Sequence, residues 1–151
     1  MRPSSVDVVI VSSCGGHLTE AQILFPVYSR YRYCYVLNDQ IKPSGDIVNR
    51  LFYMSHSERD FLFFVNLWES FVLLSRMKPR VVISTGAGPA VPFSLVAKFI
   101  FGSSIVFIES LTRVSKPSLT GRIMYYLSDH FFYQWPQLES FFPGGKYITL
   151  I

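Results

Sequence analysis

Val6-Asp7-Val8-Val9-Ile10-Val11, followed by Ser12-Ser13-Cys14-Gly15-Gly16-His17, decides how the rest of the chain is read. Apart from Asp7 the first six residues are β-branched. They lack strict polar alternation, as a strand covered on both faces does. Two adjacent glycines then break the strand, and a helix-permissive stretch follows from His17 to Tyr28. A buried strand that turns through glycine into a helix is the opening unit of a parallel, doubly wound sheet.

The same alternation continues along the chain. Strands are expected at Tyr33 to Leu37, Leu51 to Met54, Val81 to Ile83, Ile105 to Ile108, His130 to Tyr133 and Lys146 to Leu150. Asp60 is the expected N-cap of a long apolar helix through Arg76, ended by Lys78-Pro79. Further helices are expected from Ala90 to Phe101, stopped by Gly102, and from about Ser118 to Leu127, with a short turn near Pro136 to Phe141. The fold class expected is α/β, a Rossmann-like parallel sheet sandwiched by helices. Residues 1–151 form one domain by the length prior, with no internal repeat and no linker.

Composition narrows the functional classes. Half of the 151 residues are hydrophobic, 17% are aromatic and only 16% are charged, against about 25% charged in an average globular domain. Dominant disorder is excluded. So few charges imply that part of the surface meets a partner or a membrane. The densest apolar stretch, Phe61 to Met77, is interrupted by Asn66, Glu69 and Ser70, so a bilayer-spanning helix is not expected. The net charge of +4 is spread along the chain without a polybasic run; a nucleic-acid partner is therefore not expected, whereas phosphates or anionic lipid suit a mild excess of cations. Cys14 and Cys34 have neither CxxC nor zinc spacing and are expected as two buried free thiols, with no metal and no cofactor. The N-terminus is too short for a signal-peptide core, which points to the cytoplasm.

In a sheet of this kind ligands bind outside the carboxyl ends of the strands. The first strand ends in Gly15-Gly16-His17, where glycines allow close backbone approach and a helix N-terminus attracts anions. The spacing is not the dinucleotide GxGxxG, although Asp39 stands twenty-three residues beyond Gly16. His17 at that helix start is either a neutral general base or a capping, structural histidine. Glu20 is expected to complete the first helical turn as a capping-box or dipole partner rather than to act in catalysis. Gly86-Ala87-Gly88-Pro89 repeats the anion-cradling pattern or is simply a tight strand-to-helix turn. In the third loop, Glu109 either accepts a hydrogen bond from a sugar hydroxyl, orients His17, or pairs internally with Arg113; Arg113 and Lys116 suit phosphate. Trp135, at the fourth strand end, packs as core or lines an interface.

Taken in order, Ser13 to Glu20, Gly86 to Pro89, Ile108-Glu109-Ser110 with Arg113-Val114, Ser118 to Gly121, and Ser128 to Phe131 through Gln134-Trp135-Pro136 resemble the Alg14-like oligosaccharide-biosynthesis family. The agreement covers nearly the whole chain. The family includes the accessory subunit of the eukaryotic UDP-GlcNAc transferase that acts on dolichol-linked sugar, and bacterial capsule and exopolysaccharide proteins. Its members look like the N-terminal half of a GT-B glycosyltransferase whose C-terminal half is a separate polypeptide. The resemblance implies that this subunit supplies the acceptor side and membrane recruitment while the partner binds the nucleotide sugar. The Gly-Gly-His loop and the glutamate after the strand are also similar to those of the single-chain GT-B enzyme that makes peptidoglycan lipid II. In that enzyme the corresponding histidine and glutamate line the acceptor cleft.

By that resemblance His17 is the candidate base and Glu109 holds the acceptor sugar. Gly15, Gly16, Gly86 and Gly88 bring backbone amides to the acceptor phosphates, and Arg113 supports their charge. Eukaryotic members usually begin with a membrane-spanning helix, whereas this chain starts almost directly at its first strand, which favours a bacterial origin. Attachment is then expected to be peripheral, on the cytoplasmic face, through apolar helix faces such as Phe61 to Leu74 or Phe93 to Phe101 with Lys98 nearby. Those aromatics are equally consistent with ordinary core and partner interface. Two further readings are a non-catalytic scaffold that only anchors and stabilises the transferase, and a free-standing nucleotide-binding enzyme.

Overall fold

A computed structural model describes residues 5–38, 50–55 and 62–150. Seven strands, β1 (Val8–Ser12), β2 (Tyr33–Asn38), β3 (Leu51–Met54), β4 (Val81–Ser84), β5 (Ser104–Ile108), β6 (His130–Tyr133) and β7 (Lys146–Tyr147), form one sheet. Its order is β3-β2-β1-β4-β5-β6-β7, and every pair is parallel. The order runs outward in both directions from β1 and β4. The chain therefore reverses between those two strands, which opens a crevice at their carboxyl ends.

The strands are central because their side chains are apolar on both faces. All five residues of β1 are buried. Val9 and Val11 point to the face covered by α3 (Leu62–Met77), α4 (Ala90–Phe99) and α5 (Leu119–Leu127). Val8 and Ile10 point to the face covered by α1 (Gly16–Ile23) and α2 (Phe25–Tyr28). Each such side chain withdrawn from water stabilises the fold by about 1.5–3 kcal/mol.

The single helix expected from His17 to Tyr28 is two. Pro26 lies at the start of the second and has no N–H to give to the preceding turn, so the helix breaks at Leu24. The buried Tyr28 hydroxyl fastens the short α2 to the sheet, donating to Ala21 O at 3.1 Å and meeting the Tyr35 hydroxyl at 2.6 Å. Burial, then that neighbouring hydroxyl, pushes the Tyr28 phenol well above its ordinary value. Lys78, just before Pro79, closes α3 with a left-handed φ of 46°, a backbone turn that commonly ends a helix. The last strand is shorter than expected: β7 has two residues, although Ile148 N still donates to Tyr133 O at 2.9 Å.

Burial bears out one of the two thiol expectations and corrects other readings. Cys34 is buried, its thiol against Met77 Sδ at 3.3 Å, and burial pushes it up to about 12. Cys14 is only half-buried, because it lies in the loop beyond β1 rather than in the strand. Within Phe93 to Phe101, Phe93 is 0% exposed and belongs to the core, so only the end of α4 offers an apolar surface. Lys98 donates to Asp129 Oδ1 and to Leu127 O, both at 2.8 Å, and is thus held by protein groups. Asp39, Asp60 and Phe61 lie outside the described residues. Among the described residues, no helix is long and apolar enough to cross a membrane.

Candidate functional site

The crevice between β1 and β4 is lined by the two glycine loops, and the fold brings them into contact. Gly15 has φ +96° and is the N-cap of α1, with no side chain capping that helix. A side chain at Gly15 or Gly16 would meet nothing within 4 Å, so both backbones face open space at a helix N-terminus. Across the crevice, Gly86 has φ +119° and supports the ring of His17. A Cβ there would lie 3.0 Å from His17 Cε1 and 3.2 Å from Nδ1. Thr85 Oγ1 donates to His17 O at 2.7 Å and locks the first turn of α1 to the end of β4. Gly86 N donates in turn to Ser84 Oγ at 3.2 Å. Gly88 is exposed in the turn before α4, and Ala87, between the two glycines, has φ 85°.

His17 does not cap its helix. Its ring is half-buried, and Nδ1 is sealed with no hydrogen-bond partner. Nε2 is then the ring nitrogen left to meet a ligand.

Glu109 stands at the end of β5 and is 1% exposed. Its carboxylate accepts from Ser118 Oγ at 2.8 Å, Ser118 N at 3.1 Å and its neighbour Ser110 N at 3.0 Å. These donors and the N-terminus of α5 compensate the buried charge. Among the described residues Glu109 touches neither His17 nor Arg113, so the internal ion pair weighed from sequence is not formed. Arg113 is exposed two residues beyond Leu111, and its backbone N–H donates to Ser110 O at 3.0 Å. It does not meet the glycine loops directly; loop 110–118 carries it at the same rim of the sheet.

Glu20 departs most from expectation. It is not a cap: its carboxylate leaves α1 and accepts from Ser110 Oγ at 2.9 Å and Leu111 N at 3.1 Å. The partners are ninety residues away in sequence, so no local pattern announces them. The loop after β5 is also pinned from the other side. Gln134 Nε2 donates to Glu109 O at 3.0 Å and Trp135 Nε1 to Leu111 O at 2.6 Å, which makes the half-buried Trp135 a tether as well as a packing residue. The only early sign of this role was the position of Gln134-Trp135 at a strand end.

Residues 50–151 match the family described as "Oligosaccharide biosynthesis protein Alg14 like". The chain is 30% identical over 182 residues to the UDP-N-acetylglucosamine transferase subunit ALG14 of Homo sapiens, covering 97% of this chain and 83% of that protein. Against the subunit of the same name from Saccharomyces cerevisiae it is 33% identical over 99 residues, covering 56% of this chain and 42% of that one. In fold it is similar to MurG of Acinetobacter baumannii, with TM-score 0.72 and 13% identity over 95% of this chain. The UDP-GlcNAc 2-epimerase of Methanocaldococcus jannaschii gives TM-score 0.67 and 11% identity, again over 95% of this chain. This chain spans 45% of each of those two proteins. The likeness is to their N-terminal Rossmann-like halves, so the sheet has the architecture of the N-terminal half of a GT-B glycosyltransferase. A family profile over two thirds of the chain and a relative aligned along nearly all of it place the chain in the Alg14-like family of oligosaccharide-biosynthesis proteins.

Proposed function

We propose that this chain is the acceptor-side subunit of a heteromeric glycosyltransferase, which elongates a saccharide linked to a lipid through a diphosphate. A separate chain, equivalent to the C-terminal half of a GT-B enzyme, binds the UDP-sugar. The carrying observation is the crevice where Gly15 and Gly16 expose backbone at a helix N-terminus and Gly86 holds the ring of His17 at their edge. An anion-binding backbone beside a base is what transfer to a diphosphate-linked sugar demands. The similarity to half of a two-domain fold supports a second polypeptide across the crevice.

In this reaction His17 Nε2 takes the proton of the acceptor hydroxyl. The hydroxyl oxygen bonds to the anomeric carbon of the donor sugar, whose bond to phosphate breaks, and UDP leaves with the electron pair. Backbone amides at Gly15 and Gly16 and the guanidinium of Arg113 hold the acceptor diphosphate, with the Gly86 to Gly88 turn shaping the opposite wall. Glu109 serves by building the loop that carries Arg113, its carboxylate being taken up by Ser118 and Ser110. The domain binds the cytoplasmic face of a membrane peripherally through the exposed aromatic face of α3 and the apolar end of α4.

The assembled pair tests the base. With UDP-N-acetylglucosamine and an isoprenyl-diphosphate-linked N-acetylglucosamine as probes, His17→Ala should lower kcat by about 10²-fold or more while the two chains still copurify. Full activity would remove the base and favour the scaffold reading, in which only changes that separate the chains abolish turnover.

A further inference from the structure

Thr85 holds the start of α1 through His17 O, and one turn later Glu20 holds the same helix to the loop after β5. Glu20 is 7% exposed, and its Oε2 is buried with no hydrogen-bond partner. A carboxylate kept out of water with one oxygen unsatisfied is costly. Nothing local explains that cost: Glu20 caps no helix end and pairs with no cation among the described residues. What it does is receive Ser110 Oγ and Leu111 N, in a loop that is itself tightened by Ser110 Oγ against Thr112 Oγ1 at 3.0 Å. Arg113 follows at once, its N–H on Ser110 O.

We infer that Glu20 is a positioning residue: it fixes α1, and with it the ring of His17, against the loop that carries Arg113, so that base and cation meet one acceptor at a set separation. The inference rests on His17 acting as the base. Displacement of a reacting group by an ångström costs up to about a hundredfold in rate, so the clamp acts on turnover more than on donor affinity.

The test is a double-mutant cycle in the purified pair of chains, with UDP-N-acetylglucosamine and the isoprenyl-diphosphate-linked acceptor. Glu20→Ala should lower kcat roughly 10- to 100-fold without changing the KM for the nucleotide sugar. Glu20→Gln keeps an oxygen that accepts both hydrogen bonds, so it should recover to within about threefold of the parent, less than one ordinary neutral hydrogen bond is worth. In the His17→Ala background, Glu20→Ala should cost nothing further. Two results overturn the inference while leaving the base intact: a silent Glu20→Ala beside a slow His17→Ala, or an equal loss from Glu20→Ala in both backgrounds. A fully active His17→Ala removes the base itself and the inference with it. If Glu20→Ala does not fold, Ser110→Ala breaks the same clamp from the loop side. It should then give a smaller loss that likewise vanishes in the His17→Ala background; persistence of the loss there overturns the inference.

Discussion

At the scale of single residues, the most constrained position near the site is Gly121 rather than any glycine of the crevice. It lies in the first turn of α5, where Ser118 caps it by accepting from its N–H at 2.8 Å. A Cβ there would stand 1.8 Å from Glu109 Oε2 and 2.7 Å from its Cδ. A carboxylate at the end of a flexible side chain often yields, but this one is buried and spent on Ser118 and Ser110. Gly121→Ala should therefore destabilise by about 2–4 kcal/mol, the cost of displacing a buried, hydrogen-bonded charge. Thermal denaturation checks it, and a second variant isolates the cause. Combined with Glu109→Ala, Gly121→Ala should lose most of that penalty, leaving the 2.9 Å approach to the capping Ser118 Oγ set against up to about 1 kcal/mol of helix propensity; an unchanged penalty would point away from the carboxylate clash. The contrast between His17 and the two glutamates shows what was legible in the sequence. His17 with Gly15 and Gly16 is a local pattern at a strand end, and topology places any such pattern at the crevice. Glu20 and Glu109 are defined by partners on other elements, ninety and nine residues away, and nothing in the flanking sequence marks either as a clamp.

Among the elements, the strands were legible because their continuous apolar runs have only one home, the interior of a parallel sheet. The two-residue β7 was less so, since its length depends on what the neighbouring strand offers to pair, whereas the helix break at Pro26 has a local cause that the expectation of one continuous helix passes over. The edge of the sheet beyond β5 relies on polar fastening. Asp129, just before β6, accepts from Ile105 N at 2.7 Å through Oδ2 and from Lys98 Nζ at 2.8 Å through Oδ1. Lys98 also reaches Leu127 O, so α4, α5, β5 and β6 meet at one point. Partial burial raises the Asp129 carboxyl, but the Lys98 ammonium and the Ile105 N–H outweigh it and hold the group below its ordinary value. The folded form therefore binds its proton less readily than the unfolded chain, whose carboxylate titrates near about 3.9. The stabilisation is complete above that value and is lost as pH falls through the lower, folded value. Asp129→Asn should accordingly lower Tm at pH 7, and the gap from the parent should shrink steadily below pH 4. A gap independent of pH would assign the loss to packing or to the Ile105 hydrogen bond alone.

For the molecule as a whole, the scarcity of charge becomes a question of which faces stay apolar. One face does so at helical spacing. Phe64 and Trp68, both 66% exposed, and Phe71 follow one another along α3. Trp68 stacks on Phe71, whose ring lies 5.8 Å from Phe101, and Phe99 and Ile100 extend the surface at the end of α4. The aromatics continue from one element onto the next, which suits a broad, flat surface such as a bilayer interface better than a narrow groove. Sinking one such ring contributes about 2 kcal/mol, or more than tenfold in binding, so charge placed in the middle of the stripe should be felt at once. Cosedimentation with vesicles of phosphatidylglycerol and phosphatidylethanolamine should fall by about tenfold or more for Trp68→Glu, with copurification of the donor-binding chain unchanged. The same substitution should leave the free energy of unfolding within about 0.5 kcal/mol of the parent, because the ring it replaces is mostly in solvent. The opposite pattern, vesicle binding intact and the partner lost, would assign this face to the second subunit and send the search for the membrane contact to the exposed Leu119, Ile123 and Tyr126 of α5.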